Sequence, residues 1–349
     1  MKTMTTRALA ACTLTLVMMG ATSLVHAQQP APTAGLKAPD KVVFALNWKA
    51  QAAAGGFYQA LVDGSYRRAG LELTLLQGGP QVNNRPLLAA GKIDFLVTGN
   101  LLHSFDNVKN GIPTVVVAAI FQKDPQALMA HPGQGYESFA ALARAPVAMV
   151  AKDGQFSWWQ WLKVRHGFRD EQLKPYAYNL GPFLANPRAV QQGYSVAEPI
   201  YIEKQGGFKP VVHLLADHGF STYSTLIEAR SETVRTNPDL VRRFVDATVR
   251  GWYGYLYGDR SAANAAMRKD NPELTDDELE RSVALMKQQG IVDSGEALER
   301  GIGAMNEARV RDFFEQMVQA GLYKPGEVDL KKVANFEFVN RSVGKELRR

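Results

Sequence analysis

Three apolar runs near the start of the chain are each followed by a short segment rich in Gly, polar or aromatic residues. The runs cover residues 42–46, 71–76 and 93–97. The segments that follow them cover residues 47–51, 77–83 and 98–100. Helical stretches fill the gaps, which predicts a β-α-β-α-β unit with a parallel sheet. Ligands bind beyond the carboxyl ends of such strands, so we expect all three segments to line one crevice.

The rest of this first lobe follows the same pattern. Its helices are expected over residues 54–69 and 83–90, where Gly70 and Gly91 would end them. The fully apolar run 114–121 predicts a buried strand that leads out of the lobe.

A second α/β pattern begins at residue 147 and predicts another sheet. Strands are expected at 147–150, 176–179, 211–215 and, as a return strand, 223–229; helices at 158–166, 189–193, 238–257, 275–289 and 304–321. Crossovers near residues 122 and 220 would join the two lobes. Ligand sites prefer the cleft between lobes.

The first 27 residues have the pattern of an export signal. Lys2 and Arg7 precede an apolar stretch at 8–20, and Val25-His26-Ala27 offers small residues at the cleavage positions. A Pro-, Ala- and Gln-rich stretch at 28–40 predicts a flexible tether. We expect residues 41–122 and 222–349 to form one lobe, with the C-terminal helices, and residues 123–221 to form the other. The pattern of residues 1–27 therefore predicts an exported protein.

Charge and cysteine content exclude several classes of function. Loss of residues 1–27 lowers the formal net charge from +6 to +4, and basic residues are interspersed with acidic ones, so nucleic-acid binding gets no support. Cys12 is the only cysteine and lies in the predicted signal. The histidines after it lack the spacing of a zinc site. We predict no metal, no cofactor and no nucleic-acid partner.

A serine hydrolase is the best enzymatic alternative, built on Ser195 in Gly193-Tyr194-Ser195-Val196-Ala197. A nucleophile elbow places its serine between a strand and a helix. Here Glu198-Pro199 follows within four residues, where a helix should begin, and Asp217 and His218 are sequence neighbours that cannot easily stack in series behind the serine. The hydrolase is therefore a distant alternative.

Aromatic and amide residues cluster in the loops at the predicted strand ends. Two aromatic rings across a cleft can sandwich a planar ring, while amides and a carboxylate fix its polar edge. Trp48, Tyr58 and Tyr194 are expected to form the walls, and the backbone N–H groups of 153–157 to act as donors. The contact residues that we predict are Asn47, Trp48, Lys49, Phe57, Tyr58, Gly79, Pro80, Asn100, Gln155, Phe156, Trp159, Asn179, Tyr194, Glu198 and Tyr223.

An anionic ligand is the alternative within the binding class. Lys49 lies in the first strand-end segment, and helices are expected to begin near Ala54, Asn83 and Trp158. Free N–H groups at helix N-termini bind anions. A sulfonate or an aromatic carboxylate is therefore an open alternative to a neutral ring.

The chain resembles the periplasmic solute-binding proteins of ABC importers, in the branch that includes thiamine-pyrimidine-precursor, sulfonate and nitrate binders. The resemblance covers essentially all of the chain after the predicted signal. Its landmarks are Trp48-Lys49-Ala50-Gln51, Gly55-Gly56-Phe57-Tyr58-Gln59-Ala60, Tyr66 with Gly70-Leu71, Gly78-Gly79-Pro80-Gln81-Val82-Asn83, residues 88–95, Val190-Gln191-Gln192-Gly193-Tyr194 with Glu198-Pro199, and residues 237–251.

The resemblance implies an α/β, two-lobed periplasmic binding protein fold of type II, with two hinge crossovers and a ligand cleft between the lobes. It also implies a monomer that binds a small-molecule solute and docks onto the membrane permease of an ABC importer. The expected solute is a planar nitrogen-containing ring such as a pyrimidine thiamine precursor or a flavin-like ring. No catalysis is expected.

Two residues depart from the pattern of the pyrimidine binders. Relatives often carry an acidic residue and a histidine just before Gly-Gly-Phe-Tyr, where this chain has Ala53-Ala54. The same fold serves a fungal enzyme that makes the thiamine pyrimidine with a cysteine cluster, iron and a histidine. Neither a histidine at these positions nor a cysteine after residue 27 is present, which argues against that enzyme.

Overall fold

Two five-stranded sheets organise the chain in this computed structural model, which describes residues 38–80 and 82–348. The strands are β1 Asp40–Ala45, β2 Leu71–Leu76, β3 Phe95–Asn100, β4 Thr114–Phe121, β5 Gln126–Ala130, β6 Val147–Val150, β7 Leu173–Pro175, β8 Ala189–Tyr194, β9 Val211–Leu214 and β10 Ser224–Arg230. The first sheet has the order β2-β1-β3-β10-β4, and the second has the order β7-β6-β8-β5-β9.

Helices cover the sheets and make up most of the chain after β10. They are α1 Gly55–Val62, α2 Ser65–Arg68, α3 Arg85–Ala89, α4 Leu101–Lys109, α5 Phe139–Leu142, α6 Lys152–Gln155, α7 Trp158–His166, α8 Gly181–Leu184, α9 Glu198–Gly206, α10 Ser231–Thr236, α11 Pro238–Tyr257, α12 Ser261–Asp270, α13 Asp276–Gln289, α14 Ala297–Arg300 and α15 Glu307–Gln319. Within the described ranges, no helix is long and apolar enough to cross a membrane.

The chain passes between the two sheets twice. It leaves the first sheet after β4 through residues 122–125, and it returns from β9 through residues 215–223 to β10. β1 pairs in parallel with β2 and β3, whereas the returning β10 is antiparallel to β3 and β4. The predicted two-lobed fold with two hinge crossovers is confirmed. The exact lobe boundaries stay a prediction.

Several predicted elements differ from those observed. Residues 189–193 were expected to be helical but form β8, because tertiary pairing with β5 and β6 on either side overrides the local preference. The strand expected at 176–179 lies earlier, in β7. The helix expected over 54–69 breaks at Gly64, whose φ of 78° is left-handed.

The N-terminal predictions fall almost entirely outside the described residues. The export signal at 1–27 and most of the tether at 28–40 belong to this part of the chain. Asp40, the last residue assigned to the tether, is instead the first residue of β1.

A cluster of aromatic rings joins α11 to the first sheet. The Phe244 ring stacks on Phe95 with centroids 3.8 Å apart, and it meets Phe44 edge-on at 5.0 Å. Both partners are completely buried strand residues. Burial of such rings is a major part of core stability, so α11 is anchored to β1 and β3.

Close packing of α1 against α11 depends on glycines. A Cβ on Gly55 or Gly56 would lie within 2.2 Å of the rings of Tyr255 or Trp252. A Cβ on Gly251 would lie 2.4 Å from the carbonyl oxygen of Gly56. Because Gly55 and Gly56 have no side chains, the start of α1 can pack directly on α11.

We expect Gly251→Ala to destabilise the protein by about 1–3 kcal/mol, because its Cβ would meet backbone that cannot move aside. Gly254→Ala on the same helix is the matched control. There the nearest atom is Cγ of Gln59 at 3.2 Å, a side chain that can shift, and alanine also favours the helix by up to about 1 kcal/mol. Urea denaturation of both variants checks this. Equal stabilities would contradict the packing argument.

Candidate functional site

A cavity of about 590 Å³ lies between the two sheets. This volume falls within the range of sites that bind small molecules. Its lining is made of Leu46, Asn47, Trp48, Lys49, Gln51, Ala53, Ala54, Phe57, Gly79, Pro80, Val82, Asn83, Asn84, Arg85, Leu96, Val97, Thr98, Gly99, His103, Gln126, Asp153, Tyr176, Tyr178, Gln192, Gly193, Tyr194, Glu198 and Thr225.

Both sheets contribute to the cavity through the ends of their strands. The first sheet supplies the segments that follow β1, β2 and β3. The second supplies the end of β8, the loop after β7 and the start of β5. A ligand in this position would contact both lobes at once.

Aromatic rings from the two lobes meet across the cavity. Trp48 follows β1 and Tyr178 follows β7, and their ring centroids are 4.8 Å apart at an interplanar angle of 53°. Tyr176 lies 5.3 Å from Tyr178 on the same side. Tyr178 is 41% exposed, whereas Phe57, another aromatic residue of the lining, is 1% exposed. The Trp48–Tyr178 pair therefore lies nearer the surface than Phe57 does.

Two residues of the lining have strained backbones. Tyr178 has φ of 58°, and Thr225 on β10 has φ of 49°. This left-handed region is unfavourable for non-glycine residues, most of all for a β-branched one such as Thr. Strain of this kind persists only where the surroundings enforce it, and it concentrates at functional sites.

Glu198 is a carboxyl group of the cavity lining. Its Oε2 accepts a hydrogen bond of 2.6 Å from the backbone N–H of Tyr194. Burial raises the pKa of Glu198 to about 7, although backbone N–H groups act in the opposite direction. The carboxyl group can therefore donate or accept a hydrogen bond near neutral pH.

His103 and Arg85 form a polar corner of the cavity. The Nδ1 atom of His103 accepts from the N–H of Gly99 at 3.3 Å, which leaves the proton on Nε2. Burial and the nearby Arg85 charge lower the pKa of His103 to about 4, so its ring is neutral at pH 7. Arg85 donates through Nη2 to Oδ1 of Asn107 at 2.9 Å. Asn107 in turn donates to the buried Glu228 at 3.0 Å, and this chain of contacts fixes the guanidinium.

Lys49 lies at the rim. Its Nζ donates to Glu273 at 2.6 Å, and the two side chains are 43% and 78% exposed. Exposed ion pairs of this kind contribute little energy. The ammonium charge is nevertheless balanced by a partner outside the cavity.

Comparison with known proteins places the chain among its relatives. The family model described as "NMT1/THI5 like" matches residues 51–260, more than half of the chain. The chain belongs to the NMT1/THI5-like family. A curated relative, the 4-amino-5-hydroxymethyl-2-methylpyrimidine phosphate synthase THI11 of Saccharomyces cerevisiae, is 21% identical over 254 residues, which are 68% of this chain and 73% of the synthase.

Solved structures share the fold of this NMT1/THI5-like protein. The periplasmic aliphatic sulphonate binding protein SsuA of Escherichia coli has a TM-score of 0.58 at 13% identity, over 85% of this chain and 92% of that one. The periplasmic nitrate-binding protein NrtA of Synechocystis PCC 6803 has a TM-score of 0.56 at 12% identity, over 86% and 87%. The predicted periplasmic binding protein fold is thus confirmed.

Eight of the predicted contact residues lie in the cavity lining of this NMT1/THI5-like protein. They come from both lobes, and Phe57, Tyr194 and Glu198 belong to α1, β8 and α9 rather than to loops. They are Asn47, Trp48, Lys49, Phe57, Gly79, Pro80, Tyr194 and Glu198.

Three predicted aromatics lie outside the lining because they are buried in the packing. Tyr58, Trp159 and Tyr223 are each at most 1% exposed. Their polar atoms donate to acidic side chains: Tyr58 to Asp270 at 2.7 Å, Trp159 to Asp170 at 3.0 Å and Tyr223 to Glu296 at 3.0 Å.

The other four residues outside the lining have local roles or face solvent. Asn100 caps α4, and its Nδ2 donates to Asp124 at 2.8 Å. Gln155 donates to the carbonyl of Val150 at the end of β6, Asn179 accepts from the N–H of Gly181, and Phe156 is 73% exposed. Of the backbone donors expected at 153–157, those of residues 155, 156 and 157 already bond within the chain.

The lining also contains residues that sequence reasoning left out. His103, Arg85, Gln126, Gln192 and Thr225 all reach the cavity. His103 is in the first turn of α4, three residues after the β3 strand end, and this spacing could have identified it. No local signal identifies Thr225, because β10 enters the first sheet only after the chain has crossed the other lobe.

We expect Glu198→Gln to change how stability depends on pH. In the native protein the unfolded state ionises above the ordinary pKa of 4.5, while the folded carboxyl resists ionisation up to about pH 7, so stability is lost as pH rises through this window. The variant lacks this loss. The unfolding free energy of the variant relative to the native protein should therefore rise by about 3 kcal/mol from pH 4.5 to 8.

Urea denaturation at several pH values measures this difference. Glu203→Gln on the same helix is the control, because that carboxylate pairs with Arg281 and is partly exposed. A pH-independent difference for Glu198→Gln would show that folding leaves the pKa of Glu198 at its ordinary value.

Proposed function

We propose that this NMT1/THI5-like protein is the substrate-binding component of an ABC importer and that it binds a small planar nitrogen-containing aromatic solute, such as a pyrimidine thiamine precursor or a flavin-like ring. The observation that carries the proposal is the meeting of Trp48 and Tyr178, from opposite lobes, over a cavity lined with amide and carboxyl groups. Because the two rings contact each other directly, a flat solute would stack against this pair rather than between its members.

Polar groups of the lining can recognise the edge of such a ring. Gln192 uses its Oε1 to accept from the N–H of Ala151 at 2.6 Å, so its amino group remains to donate. Asn84 uses its amino group for the carbonyls of Leu46 and Gln77, so its Oδ1 remains to accept. Together with the Glu198 carboxyl, these groups complement ring nitrogens and exocyclic amino groups.

We infer that the protein binds its solute without chemical change. The Ser195 hydroxyl donates to Gln289, and no histidine contacts it in the described part of the chain, which argues against a hydrolase. Ala53 and Ala54, where the fungal-type synthase would need its histidine, present methyl groups to the cavity. Ala53 and Ala54 also lack the polar side chains with which pyrimidine binders often contact their ligand.

Location, partner and assembly belong to the same proposal. We place the mature protein in the periplasm as a monomer that delivers its solute to a membrane permease. The two-lobed fold shared with SsuA and NrtA and the pattern of residues 1–27 support this placement.

A sulfonate or aromatic carboxylate is the second candidate ligand. Arg85 favours it, because a guanidinium held by Asn107 lines the cavity and can bind an oxyanion through its remaining N–H groups. Lys49, the cation expected from sequence, is less suited because it already pairs with Glu273.

A thermal-shift screen of the protein against pyrimidines, flavins, aromatic acids, sulfonates and nitrate tests the ligand class. Calorimetric titration of the compound that stabilises the protein most then gives its affinity.

For a ring ligand, we expect Trp48→Ala to weaken binding at least about fivefold, because a lost ring contact costs about 1 kcal/mol or more. Trp48→Phe should retain most of the affinity. Phe156→Ala, an exposed aromatic outside the lining, is the control. Binding by Trp48→Ala within twofold of the native protein would exclude the stacking role.

Arg85→Gln separates the two ligand classes. We expect it to weaken a sulfonate or carboxylate about tenfold and to leave a neutral ring nearly unaffected, because only an anion gains a charge-assisted hydrogen bond. Lys49→Gln, measured in the same titrations, should have little effect on either class. A loss at Lys49 without a loss at Arg85 would place the anion at the rim instead.

A further inference from the structure

The segment 291–316 of the chain lies against both crossovers between the lobes. At the first crossover, the N–H groups of Gln122 and Lys123 donate to the carbonyl of Ile291 at 2.7 and 3.1 Å. At the second, Nε2 of Gln316 donates to the Ser221 hydroxyl at 3.2 Å. The two hinge connections therefore share one support.

Arg309 on α15 contacts both crossovers with a single guanidinium. Its Nη2 donates to the carbonyl of Gln122 in the first crossover and to that of Thr222 in the second, the latter at 3.2 Å. Its Nε donates to the carbonyl of Ser221 at 2.9 Å. Three hinge carbonyls thus converge on one side chain.

Two further contacts fix the guanidinium itself. Its Nη1 pairs with Glu296 at 3.0 Å, and its centre lies 4.0 Å over the ring of Tyr223. The Tyr223 hydroxyl donates to the same Glu296 and accepts from the N–H of Asn306 at 2.8 Å. The Arg309 and Glu296 side chains are only 22% and 21% exposed. A charged donor in such a half-buried setting makes stronger hydrogen bonds than a neutral one.

We propose that Arg309 is the positioning residue of the hinge: it holds the two crossovers at a fixed spacing and thereby limits how far the lobes open. Hinge closure requires a few residues to change φ and ψ, and such a change rotates their carbonyls. Carbonyls that are tied to one rigid guanidinium can rotate only together. The proposal depends on the two-lobed fold and not on the identity of the ligand.

Lysine cannot replace this arrangement. Its single nitrogen can pair with Glu296, but it cannot present the planar fork of donors that reaches carbonyls on two separate segments. Arg309→Lys therefore keeps the positive charge but loses the hydrogen bonds to both crossovers. Arg311→Met is the matched control, because Arg311 lies on the same helix but pairs with Asp312 at the surface.

Distance measurements between spin labels on the two lobes test the proposal without a ligand. Labels on the exposed Lys92→Cys and Lys174→Cys report on the first and second sheets respectively, in a Cys12→Ala background. We expect Arg309→Met and Arg309→Lys to add a second population at longer distance, whereas Arg311→Met keeps the native distribution.

Hydrogen exchange distinguishes a hinge effect from a general loss of stability. Amides of residues 122–126 and 221–224 should exchange about tenfold faster in both Arg309 variants, while those of β6 keep their native rates. Unchanged label distances in a folded Arg309→Met protein would overturn the proposal. So would exchange that accelerates equally in β6 and at the crossovers.

Discussion

The two crossovers between the sheets are the constraint on which the rest of the structure depends. The described strands of the two sheets do not pair with each other, so the relative position of the sheets depends on residues 122–125 and 215–223, on the segments packed on them and on contacts such as those between α9 and α13. Every pairing of groups across the cavity, including Trp48 with Tyr178, exists only while these connections keep the lobes in place. The C-terminal part of the chain therefore contacts the connections that hold the lobes around the cavity, although only Thr225 from the chain beyond the crossovers lines the cavity in the described residues.

Ionisable groups in the interior are balanced by neighbours and by changes in their pKa. Glu228 accepts hydrogen bonds from Ser104, Asn107 and two threonines, which offsets the cost of burying a carboxylate. Burial also raises the pKa of Asp124 to about 6. It accepts from Asn100 and from the N–H of Gln126 at the first crossover. Cleft and hinge thus hold groups that change charge at mildly acidic to neutral pH, and solute binding is expected to respond to pH.

Fold and ligand are separate questions for this family. The architecture is shared with a sulphonate binder and a nitrate binder at 12–13% identity, so it fixes the position of a cleft and leaves its chemistry open. The chemistry here comes from a small set of side chains. An aromatic pair that would suit a flat ring lies in the same cavity as Arg85, which would suit an anion. The balance among these groups, rather than the fold, decides what binds.

The sequence alone determined the alternation of strands and helices, the loops that line the cavity and the two-lobed architecture, because these follow from local periodicity and from the geometry of parallel strands. It could not decide which aromatic of a loop faces the ligand. Trp48 reaches the cavity, whereas Trp159 in the first turn of α7 packs against Phe168 and donates to Asp170. Nor could it show β8 as a strand, Thr225 in the lining or Arg309 on the hinge, because each depends on segments that are distant in sequence and meet only after folding. Side-chain direction and long-range pairing are properties of the tertiary structure.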